Sequence, residues 1–115
     1  MASLRTPEGQ KKYREYLKIE ESSNSCPLCD KESIKDFGFW KIVENSFPYD
    51  QIAKTHNMLV LKRHVSEKDL NKEEAEELAL VKESYINQEY DWLIEATPKN
   101  KSVPEHFHLH LIMAK

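Results

Sequence analysis

At 115 residues the chain holds one domain with one core; 39% apolar and 10% aromatic content suits globular folding, while 32% charged residues and only two glycines exclude collagen-like and low-complexity classes. Seventeen Lys and Arg against 20 Asp and Glu leave a formal charge of −3, which argues against nucleic acid or an anionic membrane as a partner. No apolar run approaches the about 18 residues that span a bilayer, the N-terminus lacks the apolar stretch of a secretory signal, and two cysteines are too few for a disulfide scaffold, so the expected setting is cytoplasmic.

Thr6, Pro7 and Glu8 supply an N-cap, an N1 proline and an acidic first turn, predicting a helix to about Glu21. Only Tyr13, Tyr16 and Leu17 share an apolar face, so this helix belongs to the surface or serves as an oligomer arm. Ser22 to Ser25 breaks the period and divides residues 1–25, helix and linker, from a domain over residues 26–115. Aromatic and β-branched residues from Phe37 to Glu44 predict a strand, Asn45 to Lys54 with Pro48 and Asp50 a loop, and Asn57 to Lys62 a second strand. Asn71 and Glu74 form a capping box that opens the best helical pattern, with Ala75, Leu78, Ala79, Val81, Tyr85 and Ile86 at helical spacing. Two more strands, Tyr90 to Ala96 and His106 to Met113, flank the turn-rich stretch Thr97 to Ser102. The order implies an α+β domain: a mainly antiparallel sheet of about five strands with the long helix over one face.

The segment from His106 to Ile112 is the most informative. A strand alternates its side chains, so His106, His108 and His110 project from one face while Phe107, Leu109 and Leu111 enter the core from the other. Only 5 histidines occur in the whole chain, which makes three successive outward positions a concentrated signal. Imidazoles titrate near neutrality and suit nucleophilic or acid–base work, and steps of about 7 Å let a reacting centre and a metal sit side by side. The plain alternative is a solvated polar face that happens to use histidine.

Cys26 and Cys29 flank Pro27 and Leu28 at a spacing that chelates half of a tetrahedral metal site. A redox pair normally follows a strand and opens a helix, whereas Ser22 to Ser25 precede this one; two ordinary buried thiols are the remaining reading. His64 and His106 are the candidates to complete a zinc site. Two thiolates and two neutral imidazoles offset the dication, and a structural zinc contributes on the order of 10 kcal/mol in small modules.

His106-Phe107-His108-Leu109-His110-Leu111-Ile112 resembles the signature of the histidine-triad (HIT) superfamily of nucleotide hydrolases and transferases. Thr55-His56 before Met58-Leu59-Val60, then Lys62-Arg63-His64-Val65, is similar to the family's central strand and its basic-histidine end. Cys26 with Cys29 is similar to the zinc-binding subset, so the resemblance extends from about Cys26 to Met113. It implies a HIT-like fold and an enzyme acting at a nucleoside α-phosphate through a covalent nucleotidyl-histidine. The reaction is either hydrolysis, of phosphoramidate or dinucleoside polyphosphate type, or nucleotidyl transfer. By the resemblance His108 is the nucleophile, its tautomer set by a bond from the other ring nitrogen to a backbone carbonyl. His110 lines the phosphate site and donates to its oxygens, while Cys26, Cys29, His64 and His106 hold a structural Zn2+. Relatives often pair, and the aromatic-rich first strand suits a homodimer.

Several positions depart from the family pattern. Its Gly- and Gln-containing turn with Ser is replaced by Asn100 to Glu105, in which Asn100 and Ser102 are the candidate nucleotide contacts. Alternation turns Glu105 away from the site, sparing a phosphate its charge. The proline usual before the basic end is Leu61 here. Asp50 is the candidate acid for ribose hydroxyls with Glu44 as its rival, although a solvated carboxylate is the plainer reading of each. His56 reads as a structural, hydrogen-bonding histidine, and of Lys62 and Arg63, which diverge on a strand, at most one contributes charge to a phosphate. The chain ends soon after the triad strand, so the C-terminal tail that helps select the leaving group in some relatives is expected to be missing. Two further functions stay open: a catalytically reduced nucleotide- or protein-binding module, and a metallohydrolase with all three triad histidines on one metal.

Overall fold

The computed structural model describes residues 4–20, 26–97, 99, 103 and 105–115. Five strands, β1 (Lys35–Asp36), β2 (Trp40–Glu44), β3 (Ala53–Leu61), β4 (Trp92–Ile94) and β5 (His108–Ala114), form one sheet. Its order is β1-β2-β3-β5-β4, with every neighbouring pair antiparallel. Helix α1 (Pro7–Glu20) precedes the sheet, and α2 (Lys72–Val81) continues through a wider π turn, Lys82–Ile86, into α3 (Asn87–Glu89). The protein is therefore α+β with an antiparallel five-stranded sheet. Among the described residues no helix is long and apolar enough to cross a membrane.

β3 sits at the centre with a partner on each side, and Met58 through Leu61 are buried on both faces of the strand. A continuous apolar run belongs where neither face meets water. Alternation divides the packing. Trp40, Ile42, Leu59, Leu61, Leu109 and Leu111 meet Val81 and Ile86 of the helical segment on one face. Val43, Met58 and Val60 meet Leu28 on the other.

The capping box at the start of α2 forms as expected. Asn71 Oδ1 accepts from the Glu74 amide at 2.8 Å, and Glu74 Oε1 accepts from the Asn71 amide at 3.0 Å. The same buried carboxylate receives both Arg63 Nε and Nη2 at 2.8 Å, and these bonds hold its pKa below the ordinary range. Trp40 Nε1 donates to the Glu74 carbonyl at 2.9 Å, which ties the helix start to β2.

Strand ends differ from the sequence pattern where turns compete. The run Phe37 to Glu44 is not one strand: Phe37 N–H bonds the Trp40 carbonyl at 2.8 Å across a tight turn at Gly38 and Phe39, so β2 starts only at Trp40. β3 begins earlier than Asn57, at Ala53, because β5 pairs along it as far as Ala114. β4 is only Trp92–Ile94 within the expected Tyr90 to Ala96, and just before it the Asp91 carboxylate accepts from Ala114 N–H of β5 at 2.8 Å, which ends the ladder. β5 starts at His108 rather than His106, since the His106 amide turns back to the Val103 carbonyl at 3.3 Å.

Candidate active site and metal centre

His108 and His110 share the sheet face opposite α2 while His106 lies in the turn just before β5, and the three are not a solvated row. His106, His108 and His110 are 0%, 4% and 4% exposed. Buried imidazoles need partners for both ring nitrogens, and each finds different ones.

His106 Nε2–H donates to the Leu61 carbonyl at 2.6 Å, which leaves the lone pair on Nδ1. That nitrogen lies 3.3 Å from Cys26 Sγ and 3.5 Å from Cys29 Sγ, while His64 Nδ1 lies 3.2 Å from Cys29 Sγ. All four potential ligand atoms fall within 4.8 Å of one another. Tetrahedral sulfur and nitrogen ligands at bond lengths of about 2.3 and 2.05 Å would be separated by about 3.6 Å, so the donor set fits one metal ion. Its second sphere fits as well, because a carbonyl orients the buried imidazole. Burial also lowers the His106 pKa, which favours the neutral form that a metal requires. Burial and the neighbouring Cys26 raise the Cys29 thiol, an effect that a bound cation would reverse by drawing out both thiolates. Cys29 and His64 are exposed, so the site opens to solvent on that side. Among the described residues this is the only such cluster, and neither His108 nor His110 belongs to it.

His108 and His110 instead line a cleft of about 290 Å³ beside the metal cluster. The His106 carbonyl accepts from His108 Nδ1–H at 2.9 Å, a bond that fixes the tautomer with the lone pair on Nε2. A chain of bonds fixes His110 too. Tyr49 N–H donates to His56 Nδ1 at 2.9 Å, so His56 carries its proton on Nε2 and donates to His110 Nδ1 at 2.8 Å. His110 consequently carries its own proton on Nε2, 3.3 Å from the Tyr49 hydroxyl. Burial, followed by the charge of Arg5, pushes His56 down to about 4. Burial, with smaller contributions from His108, His56 and Arg5, pushes His110 down to about 3. Both rings are neutral at pH 7, and His110 is an N–H donor.

The expected residues divide in two. Cys26, Cys29, His64 and His106 are brought together, as are His108 and His110. Asp50 is not among the residues lining the cleft: its carboxylate accepts from the Thr6 amide at 2.7 Å and the Thr6 hydroxyl at 2.8 Å, bonds that lower its pKa. Glu44 is also absent from the lining, and its carbonyl accepts from Lys31 Nζ at 2.9 Å. Asn100 and Ser102 lie outside the described residues. Lys62 reaches the Phe37 carbonyl at 2.7 Å and Asp36 at 3.4 Å, and with Arg63 held by Glu74 neither cation lines the cleft. Glu105 does line it, contrary to the alternation argument, because β5 has not yet begun at that residue.

Sequence reasoning missed Arg5, Lys31, Asn45 and Ser46, all of which line the cleft. Asn45 had a usable signal: an Asn just after a strand folds back on the backbone, and its Oδ1 accepts from Phe47 N–H at 2.8 Å. No protein-family model matches this chain, and no curated protein and no solved structure matches it either. Function is therefore read from the geometry of the site.

Proposed function

We propose that the protein is a HIT-like nucleotide hydrolase or nucleotidyl transferase acting at a nucleoside α-phosphate through a covalent nucleotidyl-histidine on His108. The observation that carries this reading is the His108 ring, which lines the cleft with Nδ1–H donated to the His106 carbonyl at 2.9 Å. In that tautomer Nε2 holds the nucleophilic pair. As Nε2 bonds the phosphorus, the bond to the leaving group breaks and its electrons depart with that group. The ring becomes cationic at this moment, and the carbonyl acceptor stabilises it without having to reorient. Water, or another acceptor in the transferase case, then attacks the same phosphorus; the P–N bond breaks and its pair returns to Nε2. His110 Nε2–H donates to a phosphoryl oxygen, a task for which its neutrality leaves it a fixed donor rather than a titrating one.

Cys26, Cys29, His64 and His106 would hold zinc as a structural ion, cross-linking the loop that carries Leu28 to the turn before β5. When bound it supplies a neutral cross-link, two thiolates and two imidazoles around a dication. The expected setting is cytoplasmic, with a nucleotide or nucleoside-phosphate as the small-molecule partner.

Replacing His108 with Ala should abolish release of nucleoside monophosphate from a nucleoside phosphoramidate, while circular dichroism and metal content stay at wild-type levels. Full activity in that variant would sink the assignment. A second reading, a nucleotide-binding module with reduced turnover, is favoured by one observation. Glu105 lines the cleft, where its negative charge opposes a phosphate. Saturable nucleotide binding without turnover by the wild type would select it.

A further inference from the structure

Helix α1 lies before the stretch that carries the family resemblance, and its sequence pattern marks it as a surface helix or an oligomer arm. The structure gives it a firmer seat. Both Asp50 carboxylate oxygens clasp Thr6 at its start, and Gln51 N–H donates to the Leu4 carbonyl at 3.2 Å. Gly9 makes the close approach feasible, since a Cβ there would lie 2.7 Å from Asp50 Oδ2. Arg5 Nε donates to the Phe47 carbonyl at 2.8 Å, and its guanidinium carbon sits 4.0 Å from the Tyr13 ring centre and 4.9 Å from that of Tyr49. Tyr16 packs on Phe47 with ring centres 4.6 Å apart.

These contacts bring the aromatic side of α1 into the lining of the very cleft that holds His108 and His110. Tyr13, Tyr16 and Phe47, with Tyr16 tilted 23° from Tyr13 and 34° from Phe47, give that cleft an aromatic wall, and Arg5 and Lys31 give it two cations against the single carboxylate of Glu105. A ligand with a planar π face at one end and an anion at the other matches both features. We propose that α1 is the base-recognition wall of this site: Tyr16, backed by Phe47, takes the face of a nucleobase, and the clasp between Asp50 and Thr6 sets the helix in place. The inference rests on reading the cleft as a nucleotide site.

Calorimetric titration of the full chain with adenosine 5′-monophosphate and with ribose 5-phosphate tests it without requiring turnover. The wild type should prefer the nucleotide by about tenfold or more, the size that base–aromatic stacking gives, and Tyr16→Ala should shrink the preference to about twofold. Tyr16→Phe should keep it, and Asp50→Asn, which weakens the clasp, should reduce it. If Tyr16→Ala does not fold, Tyr16→Leu carries the same expectation, because it keeps apolar area without a π face. A wild type that binds both ligands equally, or an alanine or leucine variant that keeps the wild-type preference, overturns the proposal. A Tyr16-dependent preference in a wild type that turns nothing over would instead remove the hydrolase reading and leave this one standing. Activity lost in His108→Ala, beside a preference unchanged in Tyr16→Ala, would do the reverse.

Discussion

The two faces of the sheet are built from the same strands but held by different forces. On one face Leu59, Leu109 and Leu111 close against Val81 and Ile86 by the undirected hydrophobic effect, with the Trp40–Glu74 bond at the helix start as the directed exception. On the other, His56, His108 and His110 are equally buried but polar, and each depends on a directed bond or a neighbouring ring. β5 supplies both, sending leucines one way and histidines the other. Burial by itself therefore says little about what a face is for. The distinction lies in whether the buried group is indifferent to direction or bound by it.

Metal removal should break this symmetry most strongly. A structural zinc contributes on the order of 10 kcal/mol, so a strong chelator should lower the melting temperature steeply, and metal analysis should return one ion per chain. Protein that purifies without metal and melts unchanged after chelation would put the four ligands down to coincidence. On the opposite face Leu111, fully buried, should lose about 2–5 kcal/mol on replacement by Ala, with the proposed nucleotide binding of the folded fraction unaltered. Urea denaturation paired with titration checks that separation.

Acid sharpens the comparison further. His56 and His110 are neutral when folded, with pKa values of about 4 and about 3, whereas an unfolded histidine titrates near 6.5. Below pH 6.5 the unfolded chain thus binds more protons, and stability falls as the pH drops toward 4. The slope should be about 1.4 kcal/mol per pH unit for each such ring, and it should vanish above about pH 7. Denaturation curves between pH 7.5 and 5 measure it, above the range in which the lowered carboxylates of Asp50 and Glu74 respond. His56→Gln should flatten the slope; an unchanged slope in that variant would remove His56 from the account.

The features legible in the sequence are those that repeat locally. Alternation placed His108 and His110 on one face, spacing paired Cys26 with Cys29, and the three-residue offset of Asn71 and Glu74 announced a capping box that forms. The rest depends on contacts with no local pattern. Asp50 meets Thr6 across 44 residues, and no periodicity in either segment foretells that its carboxylate is taken up before it can face a ligand. Glu105 escapes the alternation because it sits in the turn before β5, where the two-residue rule has no force. α1 looked peripheral because its stripe is thin, but an aromatic stripe needs little width to wall a cleft.

His106 joins the two centres in an unusual division of labour: its ring faces the cysteines, and its main chain holds the neighbouring imidazole. An amide oxygen belongs to every residue type alike, so a side-chain scan at position 106 can empty the metal cluster yet leave the acceptor's chemistry untouched. The group that sets the His108 tautomer is thus invisible to ordinary mutagenesis and answers only to changes in the path of the backbone.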